Sequence, residues 1–460
     1  MTGRALAGLV GLNLWLLVVG IAILLAVRPS RSWGEVARLS GLAYLLGVAA
    51  SGVVWVWLLV VGAPLSVATI LVTGLGIAAC CAVVGRRLGR RLPPRPAFRA
   101  HVPRPSLVTA SFAGLSVVYF EALFRSGRLA GLYEFDGWSF WVPKANAIYF
   151  YGGLDRQFFH DLPGPSYPPL VPALEAAAFR FMGSPDAVTL HLQFWFLLVG
   201  FAATVIGLLR PTVAPALLWP PVLLVLVTPH VIGYALQAQA DFLLDELVAI
   251  GALLLGLWLV ERHSWQLAAA ALLVAAAMLT KREGVVLGAC LLLAALAASW
   301  RQRRTAWRPP LLAGVAAAIA TVPWRAFLAV RDLTGGGPEA GGTGLFSHLD
   351  RAWPSLKLTV SALFDFDIWL LTVPLVVLAV AVALVAGTRV VAVYAALVCL
   401  LATAGFTWII WAFPSLPITK DAALNPIVRL SGSLVLMSAA LVPWLLGSAW
   451  RGRNAVAEAR

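Results

Sequence analysis

The chain has 460 residues, 61% of them hydrophobic and 12% charged, with a formal net charge of +14. A soluble domain carries about 25% charged residues, so this composition and a mean hydropathy of +0.89 exclude a water-coated globular fold. The apolar residues come in unbroken runs rather than alternating, which argues against a membrane β-barrel, and the arginines sit in short clusters without a basic aromatic-laced face, which argues against nucleic acid as a partner.

Runs long enough for a hydrocarbon core of about 30 Å are predicted at 5–27, 40–61, 66–85, 106–124, 187–209, 213–229, 242–261, 265–280, 283–299, 310–329, 366–386, 389–411 and 430–447. The expected fold is an all-α polytopic membrane protein with about 13 transmembrane helices. Arg4 ahead of the first run resembles a signal peptide, but the run continues to Val27 without a small-residue cleavage site, so a retained helix is expected. The four cysteines, Cys80, Cys81, Cys290 and Cys399, lie in apolar runs without metal-ligand spacing and read as small buried hydrophobes.

Arginine clusters orient these runs. Arg28, Arg31 and Arg38 follow the first; Arg86, Arg87, Arg90, Arg91, Arg95, Arg99 and Arg104 follow the third. Arg210, Arg262, the group Arg301, Arg303, Arg304 and Arg308, and the tail from Arg451 complete the set. With the spans above, all fall on one side, which the positive-inside rule makes cytoplasmic. The N-terminus is then outside and the C-terminus inside. The Pro-rich basic stretch near 86–105 suggests a division into 1–104, an N-terminal transmembrane unit with a cytoplasmic linker, and 105–460, a second transmembrane module.

The long connections at 125–186, 330–365 and 412–429 then lie on the extracytoplasmic side. Loops this long are functional or disordered, and the first is too aromatic for disorder. Short amphipathic helices are expected within it, near 139–151 and 168–182. It opens on Glu134 and Asp136, beside Trp138, Trp141 and Lys144. A carboxylate here can serve as general base or be an ordinary solvated loop acid. His160 and Tyr167, the latter in Ser166-Tyr167-Pro168-Pro169, are further polar candidates. Asp241 starts a span, with Asp245 and Glu246 one turn on; the helix dipole accounts for acids there, while acids dipping into the bilayer are functional candidates. Lys281 and Arg282 break the positive-inside rule. Either Glu283 neutralises them or they bind an anion such as a lipid phosphate. Arg325 and Arg429 are similar cations at outer helix ends.

Taken in order, an outer loop with an Asp among aromatics, Tyr-Pro-Pro-Leu, Ala-Asp-Phe at a helix start, Thr-Lys-Arg-Glu-Gly and a late Arg resemble the GT-C superfamily of membrane glycosyltransferases, on the bacterial branch similar to dolichyl-phosphate-mannose-dependent mannosyltransferases. The resemblance covers about 105–447, and its motifs are short and degenerate. It implies a cell-membrane hexosyl- or pentosyltransferase, inverting, with Asp136 as catalytic base and a polyprenyl-phosphate sugar as donor. The acceptor would be a glycan, lipid or protein of the cell envelope. Lys281 and Arg282, then Arg325 and Arg429, would hold the donor phosphate. Asp241, with Glu134, Lys144, His160 and Tyr167, would form a second acid or acceptor site. In metal-dependent relatives, a pair like Asp136 and Asp241 holds a divalent cation. The sequence departs from the family in placing about three further spans, those within 1–104, ahead of the span that leads into the Asp loop. A transporter or lipid flippase is the rival class, although no internal repeat of the kind common in transporters is found.

The charge pattern makes a topological prediction. In intact cells, an impermeant thiol reagent should label a cysteine placed at Gly153 and not one at Arg95; the reverse pattern would overturn the assigned orientation.

Overall fold

The computed structural model describes residues 2–94, 106–154, 162–300, 306–333, 347–413, 416, 418–419 and 426–458; no strand occurs among them. The helices are α1 (Gly3–Val27), α2 (Trp33–Arg38), α3 (Ser40–Val60), α4 (Val67–Arg87), α5 (Leu107–Gly127), α6 (Val142–Tyr151), α7 (Leu170–Met182), α8 (Ala187–Leu209), α9 (Pro215–Leu226), α10 (Pro229–Ala235), α11 (Ala240–Glu261), α12 (Ser264–Thr280), α13 (Glu283–Trp300), α14 (Arg308–Val330), α15 (Ala352–Leu363), α16 (Phe366–Trp369), α17 (Thr372–Val385), α18 (Arg389–Ala412) and α19 (Pro426–Glu458). Their starts follow local chemistry. Thr2, Ser66, Ser106 and Asp186 each accept a hydrogen bond from a first-turn N–H of the helix that follows, as N-caps do. Helices occur where amphipathic ones are expected near 139–151 and 168–182, as a π-helical turn (Gly137–Trp141) leading into α6 and as α7, but α7 is buried at nearly every position and not on one face alone.

Every predicted run coincides with a helix, yet the count of spanning helices is smaller than about thirteen. Among the described residues ten helices are long and apolar enough to cross a membrane, and up to eleven if α9 and α10, bent by 68°, form one broken span. The shortfall has local causes. The α12 helix has 17 residues and α17 has 14, which at 1.5 Å per residue cover about 26 and 21 Å, short of a core of about 30 Å. In the run 366–386, Leu370 takes a positive φ of 52° and separates α16 from α17. Apolar composition is continuous there, but the helix is not.

The chain divides into two compact units. The first is Met1–Leu162, Pro169–Pro220 and Tyr234–Leu243; the second is Pro163–Pro168, Pro221–Gly233 and Leu244–Arg460. The segments on either side of the 86–105 linker thus share the first unit.

In the first unit α1 packs against α3, α4, α7 and α8. Glycines set the closest crossing: a Cβ on Gly20 would lie 1.6 Å from the Ala43 carbonyl oxygen, and one on Gly47 would lie 1.9 Å from that of Leu16. This is the small-residue packing by which membrane helices approach where burial from water gives no drive. A buried polar lock reinforces it. The Asn13 amide donates to Gln193 Oε1 (2.9 Å), the Gln193 amide donates to Tyr44 Oη (3.1 Å), and the Tyr44 hydroxyl donates to Asn13 Oδ1 (2.6 Å), tying α1, α3 and α8 together. By contrast α5 is almost wholly exposed, presenting Leu115, Val117 and Val118, the surface a lipid-facing helix would show.

In the second unit α12 packs on α13 and α14, α13 on α18, and α17 on α19. The Tyr394 hydroxyl donates to the Ala252 carbonyl (2.9 Å), and the Ser433 hydroxyl donates to Asp245. Trp444 lies where a Cβ on Gly256 would come within 2.7 Å of it.

The glycine crossing is directly testable. Gly20→Ala forces a methyl into backbone, and overpacking of this kind costs about 1–3 kcal/mol; Gly76, with nothing within 4 Å, is the control. Thermal unfolding in detergent should drop by several degrees for Gly20→Ala and stay unchanged for Gly76→Ala. Equal melting of the two would show that the crossing is not tight.

Candidate active site

The connection that follows α5 is organised around Glu134. Its Oε1 accepts a hydrogen bond from the Ala238 backbone N–H (2.7 Å) and its Oε2 accepts one from the Tyr133 N–H (3.2 Å). The backbone then turns helical. Asp136 has φ −66° and ψ −34°, and the π-helical turn Gly137–Trp141 follows at once. Glycine is required at 137, because a Cβ there would lie 2.6 Å from Glu134 Oε1, an oxygen held in place by Ala238. Turns of this type occur frequently at functional sites.

This geometry separates two acids that an extended strand would have kept on one face. Glu134 is buried at 7% exposure, whereas Asp136 is half-exposed. Around Asp136 the aromatic side chains divide as well. Tyr133, Phe135 and Trp138 are exposed, with Phe135 and Trp138 packed edge to face at 5.3 Å, while Trp141 is buried. Lys144 is fully buried, its Nζ 3.8 Å from the centroid of the Phe140 ring and 5.9 Å from that of Trp141. Lys144 is thus packed on aromatic rings instead of facing solvent.

Two buried ionisable groups in the same unit were not singled out in the sequence. His191 on α8 places Nε2 3.9 Å from Glu134 Oε1. Glu175 on α7 is wholly buried, and neither of its carboxylate oxygens has a hydrogen-bond partner among the described residues. Burial and then the nearby charge of Glu134 push the Glu175 carboxyl well above the ordinary glutamate range, the two effects that disfavour a charged acid. A lone acid in Ala173-Leu174-Glu175-Ala176-Ala177-Ala178 was the available signal, since such a residue on an otherwise apolar helix has to be buried or face a partner. Asp241 is also buried, in the first turn of α11.

In the second unit the α12–α13 junction carries the expected cations. Its tightness again needs glycine: a Cβ on Gly284 would lie 2.0 Å from the Ala277 carbonyl oxygen. Lys281 is buried and pairs with Glu283 at 3.3 Å. Glu283 is thus a neutralising neighbour of Lys281. The Arg282 guanidinium lies 5.1 Å from the Tyr167 ring centroid, bringing the Tyr-Pro-Pro motif to the Lys-Arg motif. Burial lowers the Arg282 pKa, Tyr167 and Glu283 oppose that shift, and the like charge of Arg325 adds to it, so Arg282 and Arg325 are electrostatic neighbours. Arg325 is exposed on α14, and Arg429 is half-buried at the start of α19. His160 lies outside the described residues.

No three His, Cys, Asp or Glu side chains gather as a metal-ligand set among the described residues. Comparison with family models, with curated proteins and with solved structures finds no match to this chain.

The Glu175 environment predicts a pH dependence with a definite sign. A carboxyl whose folded pKa is raised keeps its proton in the folded state at pH values where the unfolded chain has lost it. Stability is therefore undiminished below the unfolded value of about 4.3 and declines as pH rises above it towards the raised value. Glu175→Gln mimics the protonated acid and should flatten the decline in melting temperature between pH 5 and 8. An unchanged slope in the variant would show that Glu175 is not the group responsible.

Proposed function

We propose that this chain is an inverting glycosyltransferase that moves a sugar from a polyprenyl-phosphate donor to an acceptor hydroxyl on the extracytoplasmic face of the membrane. The observation that carries this reading is the division of the two loop acids. Glu134 is buried and engaged by two backbone N–H groups, while Asp136 is half-exposed in a stretch that carries the exposed rings of Tyr133, Phe135 and Trp138. An accessible carboxylate beside exposed aromatic faces suits a sugar, whose C–H faces stack on rings while its hydroxyls meet an acid.

In the proposed reaction the Asp136 carboxylate takes the proton of the acceptor hydroxyl. The freed oxygen attacks the anomeric carbon from the side opposite the phosphate, the new glycosidic bond forms, and the bond to the polyprenyl phosphate breaks with its electron pair leaving on that phosphate. The charge developing on the leaving group needs fixed positive partners. Arg282, braced on Tyr167 and close in charge to Arg325, is assigned that role, with Lys281 beside it in sequence. Arg429 is a further candidate for the same phosphate.

One observation favours the rival reading of a transporter or lipid flippase. Asp245 and Glu246 are fully buried inside α11, and acids within a spanning helix mark ion or substrate pathways by default. Reconstituted protein distinguishes the two, since a transferase yields glycosylated acceptor and a transporter only moves lipid or ion.

Asp136→Asn retains shape and removes the proton acceptor. Positioned bases contribute about 10²–10⁴-fold, so sugar transfer should fall by that factor with donor binding retained, and Glu134→Gln should keep more activity than Asp136→Asn. Arg282→Ala should weaken donor binding by about ten-fold or more, the consequence of losing a charge-assisted contact of about 1.5–3 kcal/mol. Full transfer by Asp136→Asn would remove the mechanism.

A further inference from the structure

One end of the first unit gathers charge that the sites above do not use. There α1 ends at Arg28, α2 crosses, α3 begins at Ser40 and α8 ends beside Arg210. The backbones are in contact: a Cβ on Gly207 would lie 2.2 Å from the Arg38 carbonyl oxygen, and one on Gly41 would lie 2.5 Å from the Thr204 nitrogen. Beside these contacts is an open groove of about 490 Å³, its walls formed by the small residues Gly34, Ala37 and Gly207, with Arg38 and Arg210 on its lining. That volume falls within the range of about 300–1,000 Å³ typical of small-molecule sites. Ser40, in the first turn of α3, also lines it, and no side chain caps that turn.

The charges around this groove do not balance. Among the described residues, the carboxylate in contact with these arginines is Glu35, which is engaged by the Arg28 guanidinium and by the Arg31 backbone N–H and lies 3.8 Å from Arg38. The hydrogen bond from Arg28 holds the Glu35 carboxyl below its usual range. Arg38 meanwhile is half-buried, donates to the Gly207 carbonyl, and feels the like charges of both Arg28 and Arg210. Arg28 and Arg38 thus share Glu35, and Arg210 adds a further like charge beside Arg38, where three helices of spanning length terminate. Trp33, 37% exposed at the start of α2, adds an aromatic ring of the kind that anchors at a bilayer surface. Below the arginines, Ala203 and Ile206 continue the lining along α8, an apolar surface that a free inorganic anion would leave uncovered and a lipid would cover.

We propose that this groove binds the headgroup of an anionic phospholipid, the phosphate held between Arg38 and Arg210 and the acyl chains lying along α8 past Ala203 and Ile206. Two guanidiniums suit a phosphate because each offers a planar fork of donors. The site is independent of the sugar-transfer reading and would hold lipid whether or not the chain is a transferase.

The test is native mass spectrometry of the full chain in detergent, titrated with phosphatidylglycerol or phosphatidylcholine, with and without inorganic phosphate. Wild type should retain phosphatidylglycerol at least ten-fold more tightly than phosphatidylcholine, and millimolar inorganic phosphate should leave it bound. Arg210→Gln, at an exposed position that leaves the Arg38–Gly207 contact intact, should lose most of that preference at an unchanged melting temperature. Arg38→Gln/Arg210→Gln should abolish it. Equal retention of the two lipids by wild type, full preference in Arg210→Gln, or displacement by inorganic phosphate would each overturn the proposal.

Discussion

Hydrocarbon offers no hydrogen-bond partner, so every polar group placed in it must be satisfied by the protein itself. That constraint accounts for the all-helical backbone and for the behaviour of the hydroxyl-bearing residues. Thr204, Thr280, Thr407, Ser431 and others donate to backbone carbonyls three or four residues back in their own helices. It also accounts for the ring formed by Asn13, Tyr44 and Gln193, in which each side chain satisfies another. Within the first unit this ring supplies direction and register that apolar contact alone does not impose.

The same constraint gives meaning to the buried acids. Glu134 is anchored by backbone N–H groups, and its charge is felt by both Glu175 and His191. A group held this firmly is poorly placed to move a proton to and from a substrate, and it works instead as a fixture from which the next turn is hung. Asp136, two residues on and past the change to helical backbone, is half-exposed. The two carboxylates thus sit in different environments, and that difference is the basis for the chemistry proposed for Asp136.

Glycine has a comparable role where backbones meet. At Gly20, Gly47, Gly207 and Gly284 an added Cβ would collide with a carbonyl oxygen, so these positions fix helix separations or a tight turn. Close approach at Gly207 places the end of α8 against Arg38, and close approach at Gly284 holds the Lys281–Glu283 knot. In both cases small residues bring charged ones together at the ends of helices.

Much of this was legible in the residues. Unbroken apolar runs dictate helices because a chain in lipid has no other way to satisfy its backbone, and Ser or Thr ahead of a run marks its start. The aromatic loop with Glu134 and Asp136, and the Lys-Arg pair, stand out because charge is scarce in this composition. Other features depend on the folded chain. The Leu370 break and the bend between α9 and α10 reduce the count of spanning helices without any loss of apolar character. The burial of Glu134 against Ala238 joins residues 104 positions apart, as the stacking of Arg282 on Tyr167 joins another distant pair. Composition and periodicity determine which segments enter the bilayer, since transfer into lipid is a property of each segment. Which acid is locked, which is open and which arginines share a carboxylate are set by contacts between segments, and those existed only once the helices had packed.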